Sequence, residues 1–148
     1  MPVAGEGMET MMTVVVRPLL LVAAGLLGAI GVGGAALAAH GGDNRLIAIA
    51  AAIALVHAPA LMALSAVPDE HLRLRAPAGL LLTIGAILFS GDLAARSFLD
   101  DRLFVNAAPT GGMLLIAGWL LVSIGAGMAV LRRRRDRRRR AKEGIHGI

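Results

Sequence analysis

Cysteine is absent from the 148 residues, which removes disulfides, thiolate metal ligands and thiol catalysis together. Tyrosine is absent as well, and the aromatic complement is three Phe and one Trp. The belt of aromatic rings that many membrane proteins keep at the lipid–water boundary is therefore nearly missing. Charge is scarce too: 17% of the residues are Asp, Glu, Lys or Arg, and nine of the fifteen basic ones fall between Arg132 and Lys142. Without that segment the remainder is slightly acidic, which argues against a nucleic-acid surface spread over a fold. There is no phosphate-binding loop, no His-x-x-x-His pair, no nucleophile elbow and no acidic cluster. No enzymatic constellation is legible, and no cofactor is implied.

What is there is apolar. The chain is 57% hydrophobic with a mean hydropathy of +0.73, and at this length it has room for one domain. A soluble chain of this composition would expose much apolar surface and be prone to aggregate, whereas lipid dissolves it. A helix needs about 20 apolar residues to cross the hydrocarbon core. Four segments meet this: 19–39, 46–67, 77–95 and 111–131. Backbone groups in lipid must be satisfied within the segment, so each span is expected to be helical. The predicted class is all-α, an integral membrane four-helix transmembrane bundle. Residues 1–18 are expected to form an unstructured lead-in and 132–148 a basic cytoplasmic tail. A competing reading makes the first span a cleaved signal peptide with Ala36-Leu37-Ala38 at the cleavage site. Its apolar stretch exceeds the roughly 7–15 residues of such a region, so the span is taken as retained.

Basic residues in short flanks are held on the cytoplasmic side. Arg17, Arg73, Arg75 and the nine of the tail share one side, and Arg45, Arg96 and Arg102 the other. That is 12 against 3, and both termini are expected to be cytoplasmic. With the tail removed the flanks balance at 3 against 3, so Arg132, Arg133, Arg134, Arg135, Arg137, Arg138, Arg139 and Arg140 decide the orientation. The same run attracts anionic lipid headgroups, at about 1 kcal/mol per basic residue near the surface. With no aromatics interleaved, it is weak evidence for a nucleic-acid partner.

Without a hydrophobic force between helices in lipid, close packing needs small residues. The first span supplies Gly25, Gly28, Gly31 and Gly34, the second is alanine-rich, and the fourth carries Gly118 and Gly125. Bundle packing is the plain explanation, and it suits self-assembly or a larger membrane partner.

Ionisable groups inside a span are costly, which makes them functional candidates. His57 lies near the middle of the second span, two residues before Pro59, where it could relay protons, ligate a metal or bond across helices. Asp92 lies toward the far end of the third span, with Arg96 one turn on to neutralise it. His40 closes the first span ahead of Gly41, a suitable C-cap, and could meet Asp92 at the same side. His57 should lie about 16 Å deeper than Leu46, so one metal site holding all three is improbable. Ser90 near a histidine lacks the arrangement of a hydrolase.

Several elements occur together in order: Ala38-Ala39-His40-Gly41, His57-Ala58-Pro59-Ala60-Leu61, Phe89-Ser90-Gly91, Pro109-Thr110-Gly111-Gly112 and Gly118-Trp119. Over residues 19–131 this resembles the small bacterial membrane family catalogued as domain of unknown function 423. The resemblance implies a four-span inner-membrane protein that keeps its first span. The chain departs from the family's usual pattern where Asp92 replaces a small hydroxyl residue and Ala35-Ala36-Leu37-Ala38-Ala39 precedes His40. The residues favour a non-enzymatic membrane component. The alternative is a small proton- or cation-linked transporter or channel subunit built on His57. Four-helix multidrug exporters centre on a carboxylate in the first span, and this first span has none.

Overall fold

A computed structural model describes the backbone over residues 4–41, 44–68, 72 and 74–145, and side chains within 14–141 of that set. Arg73, one of the flank charges, lies outside the described residues. The chain forms α1 (Ala4–His40), α2 (Arg45–Ala66), α3 (Arg75–Phe98) and α4 (Ala107–Ile145). Each contains a stretch long and apolar enough to cross a membrane: Val14–His40, Arg45–Ala66, Arg75–Phe98 and Ala107–Ala141.

The helix ends are set by local chemistry. At the close of α1, the Gly41 amide donates to Leu37 O at 2.8 Å. A Cβ on Gly41 would stand 2.7 Å from that same oxygen, so only glycine fits there. Asn44 caps α2, its Oδ1 accepting the Ile47 amide at 3.2 Å. The α2 helix stops at Val67, whose backbone turns extended before Pro68. The C-terminal end of α3 turns off through Asp100, which takes the left-handed conformation at φ 52.

Successive helices pack on one another, and α2 and α3 form the inner pair. The α1 helix lies along α2 and touches α3, while α4 lies along α3 and does not approach α1 among the described residues. Buried residues make up 39% and 44% of the most apolar windows of α2 and α3, against 22% and 17% for α1 and α4. The outer helices therefore present most of their surface to lipid, through side chains such as Ile30, Val32, Ile116 and Leu120. The interior is closed by Leu61 and Leu82, with Ala54, Ala78 and Ala86 at the tightest points.

Glycines set the spacing. A Cβ on Gly31 would fall 2.7 Å from Leu55 Cγ, and one on Gly34 would fall 3.1 Å from Ala51 Cβ, so these two seat α1 on α2. A Cβ on Gly118 would stand 2.8 Å from Leu82, and one on Gly125 would stand 2.5 Å from Leu72. Gly28 makes ordinary contact distance to Ala58, and Gly25 faces open space. The glycine stripe of α1 therefore engages over its second half, and Gly25 is not a packing residue within this chain.

Some boundaries differ from expectation. Helix α1 begins at Ala4, so residues 4–18 are helical where an unstructured lead-in was expected, and Pro18 lies inside the helix. Leu20 buried against Gly79 ties this end of α1 to α3. The α3 helix runs to Phe98 rather than stopping near Ala95. Helix α4 opens at Ala107, so Pro109 falls in its first turn, where a missing amide hydrogen costs nothing. It also continues unbroken through the arginine run.

Candidate functional site

The polar side chains inside the bundle are spread along the inner helices. Reading from the end where α2 starts, Asn44 Nδ2 donates to Ser97 Oγ at 2.6 Å, joining the start of α2 to the end of α3. Deeper in, Ser90 Oγ donates to Ala50 O at 3.0 Å, a second bond between the same helices. Ser90 is buried and satisfied there. His57 is seven residues further along α2 than Ala50, or about 10 Å, so no serine–histidine pair forms.

Asp92 is fully buried. Its Oδ2 lies 2.5 Å from Arg96 Nη2, one turn along α3, forming the pair that the spacing predicts. Its Oδ1 accepts the backbone amide of Leu103 at 3.0 Å. The carboxylate thus neutralises a cation and satisfies a loop amide that would otherwise lack a partner in an apolar setting. The meeting of His40 with Asp92 does not occur. His40 is exposed and its Nδ1 donates to Ala36 O at 2.9 Å, one turn back on its own helix.

His57 lies 12 residues into α2, about 18 Å along it, which is close to the middle of a span. It is 4% exposed. Its Nδ1 is 2.7 Å from Ile53 O, a carbonyl that can only accept, so Nδ1 carries the hydrogen. Its Nε2 is 3.3 Å from Trp119 Nε1 of α4, an indole that can only donate, so Nε2 is the bare nitrogen. The two rings stand 6.0 Å apart, tilted by 55°. The network therefore defines one neutral tautomer with both nitrogens engaged. Protonating Nε2 would set two donors against each other, and metal ligation there would displace the indole. Trp119 is the partner that sequence reasoning did not supply: periodicity does not reveal which helix faces His57, although the Gly118-Trp119 pair itself is conspicuous.

Arg75 is a second residue whose role goes beyond the topology count. It is 3% exposed, and its Nη1 donates to Val67 O at 2.7 Å. This supplies a donor to the C-cap carbonyl of α2 and closes the turn into α3. Among the described residues no three His, Asp, Glu or Cys side chains gather into a metal-binding group. The arginines at 132–135 and 137–140 are exposed on a helix, on all of its faces.

A family model described as a protein of unknown function (DUF423) matches residues 27–112. That interval contains His40, His57, Ser90 and Asp92, and it stops short of Trp119 and the arginine run. A UPF0382 membrane protein of Staphylococcus saprophyticus is 32% identical over 101 residues, covering 64% of this chain and 84% of that protein. A UPF0382 membrane protein of Staphylococcus haemolyticus is 43% identical over 47 residues, 32% of this chain and 38% of that one. The UPF0382 inner membrane protein YgdD of Escherichia coli K12 is 40% identical over 45 residues, 30% of this chain and 34% of that protein. The chain thus spans little more than a third of the length of those last two relatives. No solved structure matches it.

Proposed function

Because the chain belongs to the family of unknown function DUF423, we propose that it acts as a non-enzymatic component of the bacterial inner membrane. In this reading it is a multi-pass helical scaffold that assembles with itself or with a larger membrane partner. Inner-membrane residence draws on the name of the Escherichia coli relative. Both termini are cytoplasmic in this reading, supported by the basic residues counted over the flanks. The arginine tail meets anionic headgroups where α4 leaves the bilayer.

The observation that carries the scaffold reading is the engagement of His57. A relay histidine needs one nitrogen free to exchange a proton with a path. Here the buried imidazole spends one nitrogen on Ile53 O and the other on the Trp119 indole. It joins α2 to α4, two helices whose backbones do not otherwise approach among the described residues. An intramembrane bond of this type contributes about 0.6 kcal/mol on average and up to roughly 2 kcal/mol.

Replacing His57 with Ala and with Gln in purified, reconstituted protein tests this. The expected result is lower thermal stability for His57→Ala and no proton or cation flux in any form, the unmodified protein included. Flux through the unmodified protein that disappears in a folded His57→Gln variant would overturn the scaffold reading in favour of transport.

A further inference from the structure

A stretch of α1 and the whole of α2 and α3 share common levels, and α4 does not start there. From Arg17 to His40, from Arg45 to Ala66 and from Arg75 to Phe98 the axial lengths are roughly 31–35 Å. These stretches carry Arg17, His40, Arg45, Arg75 and Arg96 at or near their ends, so together they mark the two faces of an apolar band. The Asn44–Ser97 bond puts the start of α2 level with the end of α3. Helix α4 begins lower. Its second residue, Ala108, shares a buried cluster with Leu93 and Ala50, against which Phe89 packs, and a Cβ on Gly111 would stand 2.6 Å from Phe89 N. Ala50 is five residues inside α2 and Leu93 five residues short of the end of α3, so α4 starts about 7–8 Å below its neighbours.

The connection after α3 must descend to that depth, and it does. The Leu103 amide reaches Asp92 Oδ1 at 3.0 Å. The Leu103 side chain lies against Gly91, where an added Cβ would be 3.2 Å from its Cδ1. Both α3 residues lie six or seven positions below Phe98, so the chain has folded back along its own helix. Irregular backbone is tolerated at membrane depth only where its polar groups are satisfied. Besides Leu103, the Arg102 amide donates to Asp101 Oδ1 at 2.7 Å and the Ala107 amide to Phe104 O at 3.2 Å. The outward side chains are apolar: Phe98, Leu99, Leu103, Phe104 and Val105 are 49–78% exposed. Two of the chain's four aromatic residues are among them, and on α4 Met113 and Ile116 are exposed as well.

We infer that residues 98–106 form a re-entrant segment seated at the boundary between headgroups and acyl chains, in the leaflet opposite the arginine tail. Lipid is its occupant. The exposed Asp100, Asp101 and Arg102 meet the headgroup layer while the apolar side chains enter below it. The Asp92 carboxylate holds the segment at depth through the Leu103 amide.

The cysteine-free chain allows a direct test. Phe104→Cys and Val105→Cys, each labelled with a nitrobenzoxadiazole probe, are reconstituted in phosphatidylethanolamine–phosphatidylglycerol vesicles with iodide on both sides. Arg137→Cys serves as the aqueous reference and Ile30→Cys as the mid-bilayer reference. Both loop probes should show an iodide quenching constant roughly fivefold below the Arg137→Cys probe, and strong quenching by lipids spin-labelled near the headgroup. Iodide quenching equal to the Arg137→Cys probe would make the segment an aqueous loop and overturn the inference. Protection from iodide and spin-labelled lipid alike would overturn it too, since a protein surface would then cover the segment.

Discussion

Where α1 lies on α2, Gly31 and Gly34 receive the side chains of Leu55 and Ala51; where α3 lies on α4, Gly85 and Gly111 receive backbone. A Cβ on Gly85 would stand 2.9 Å from Gly111 O and 2.9 Å from Leu115 N, and one on Gly111 would stand 2.8 Å from Gly85 O. The first joint has a partner that can rotate aside at Leu55. The second has main chain on both sides and nothing that can yield. Lipid tails are as apolar as leucine, so distance of approach rather than water exclusion holds both joints together. The inner joints carry polar bonds in addition: Ser90 and Ser97 link α3 to α2, and Trp119 links α4 to α2.

The contrast can be broken at its hardest point first. Gly111→Val should cost about 3 kcal/mol or prevent folding altogether, since overpacking against backbone has no rotameric escape. Thermal unfolding in detergent with a size-exclusion profile measures this, and a Tm near that of the unmodified protein would refute the rigid joint. Gly31→Ala should cost about 1 kcal/mol in the same assay, because Leu55 can move although its amide is also near. A loss as large as that of Gly111→Val would erase the distinction between the two crossings. Gly25→Ala, directed into open space, should change stability by less than about 0.5 kcal/mol. A marked loss of self-association with unchanged monomer stability would instead place Gly25 in an interface between copies.

The number and order of helices were legible in the chain because uninterrupted apolar stretches have few alternatives in lipid. Within one helix, spacing also sufficed: Asp92 and Arg96 are four residues apart and do pair. Partnerships between helices were not legible in this way. His57 was conspicuous as a midspan histidine, yet its fate depends on the rotation of α4, which brings Trp119 to its Nε2. Gly111 stood in plain view within the family-like motifs and Gly85 one turn ahead of Phe89, but only the staggered start of α4 makes them neighbours. Helix ends were the least readable feature. The backbone of α1 continues past Pro18 although an interior proline removes one helical amide hydrogen, and α4 continues into the arginines because charge outside lipid does not forbid helical hydrogen bonding.

The reciprocal seating of Gly85 and Gly111 has a consequence for how this chain can vary. In most packed pairs a residue that grows can be accommodated by a neighbour that shrinks. Here both members already have the smallest side chain there is, and each faces the other's carbonyl rather than a group that exchange could trim. No compensating substitution within the pair exists, so a suppressor of change at either position must act by shifting the axis of α3 or α4.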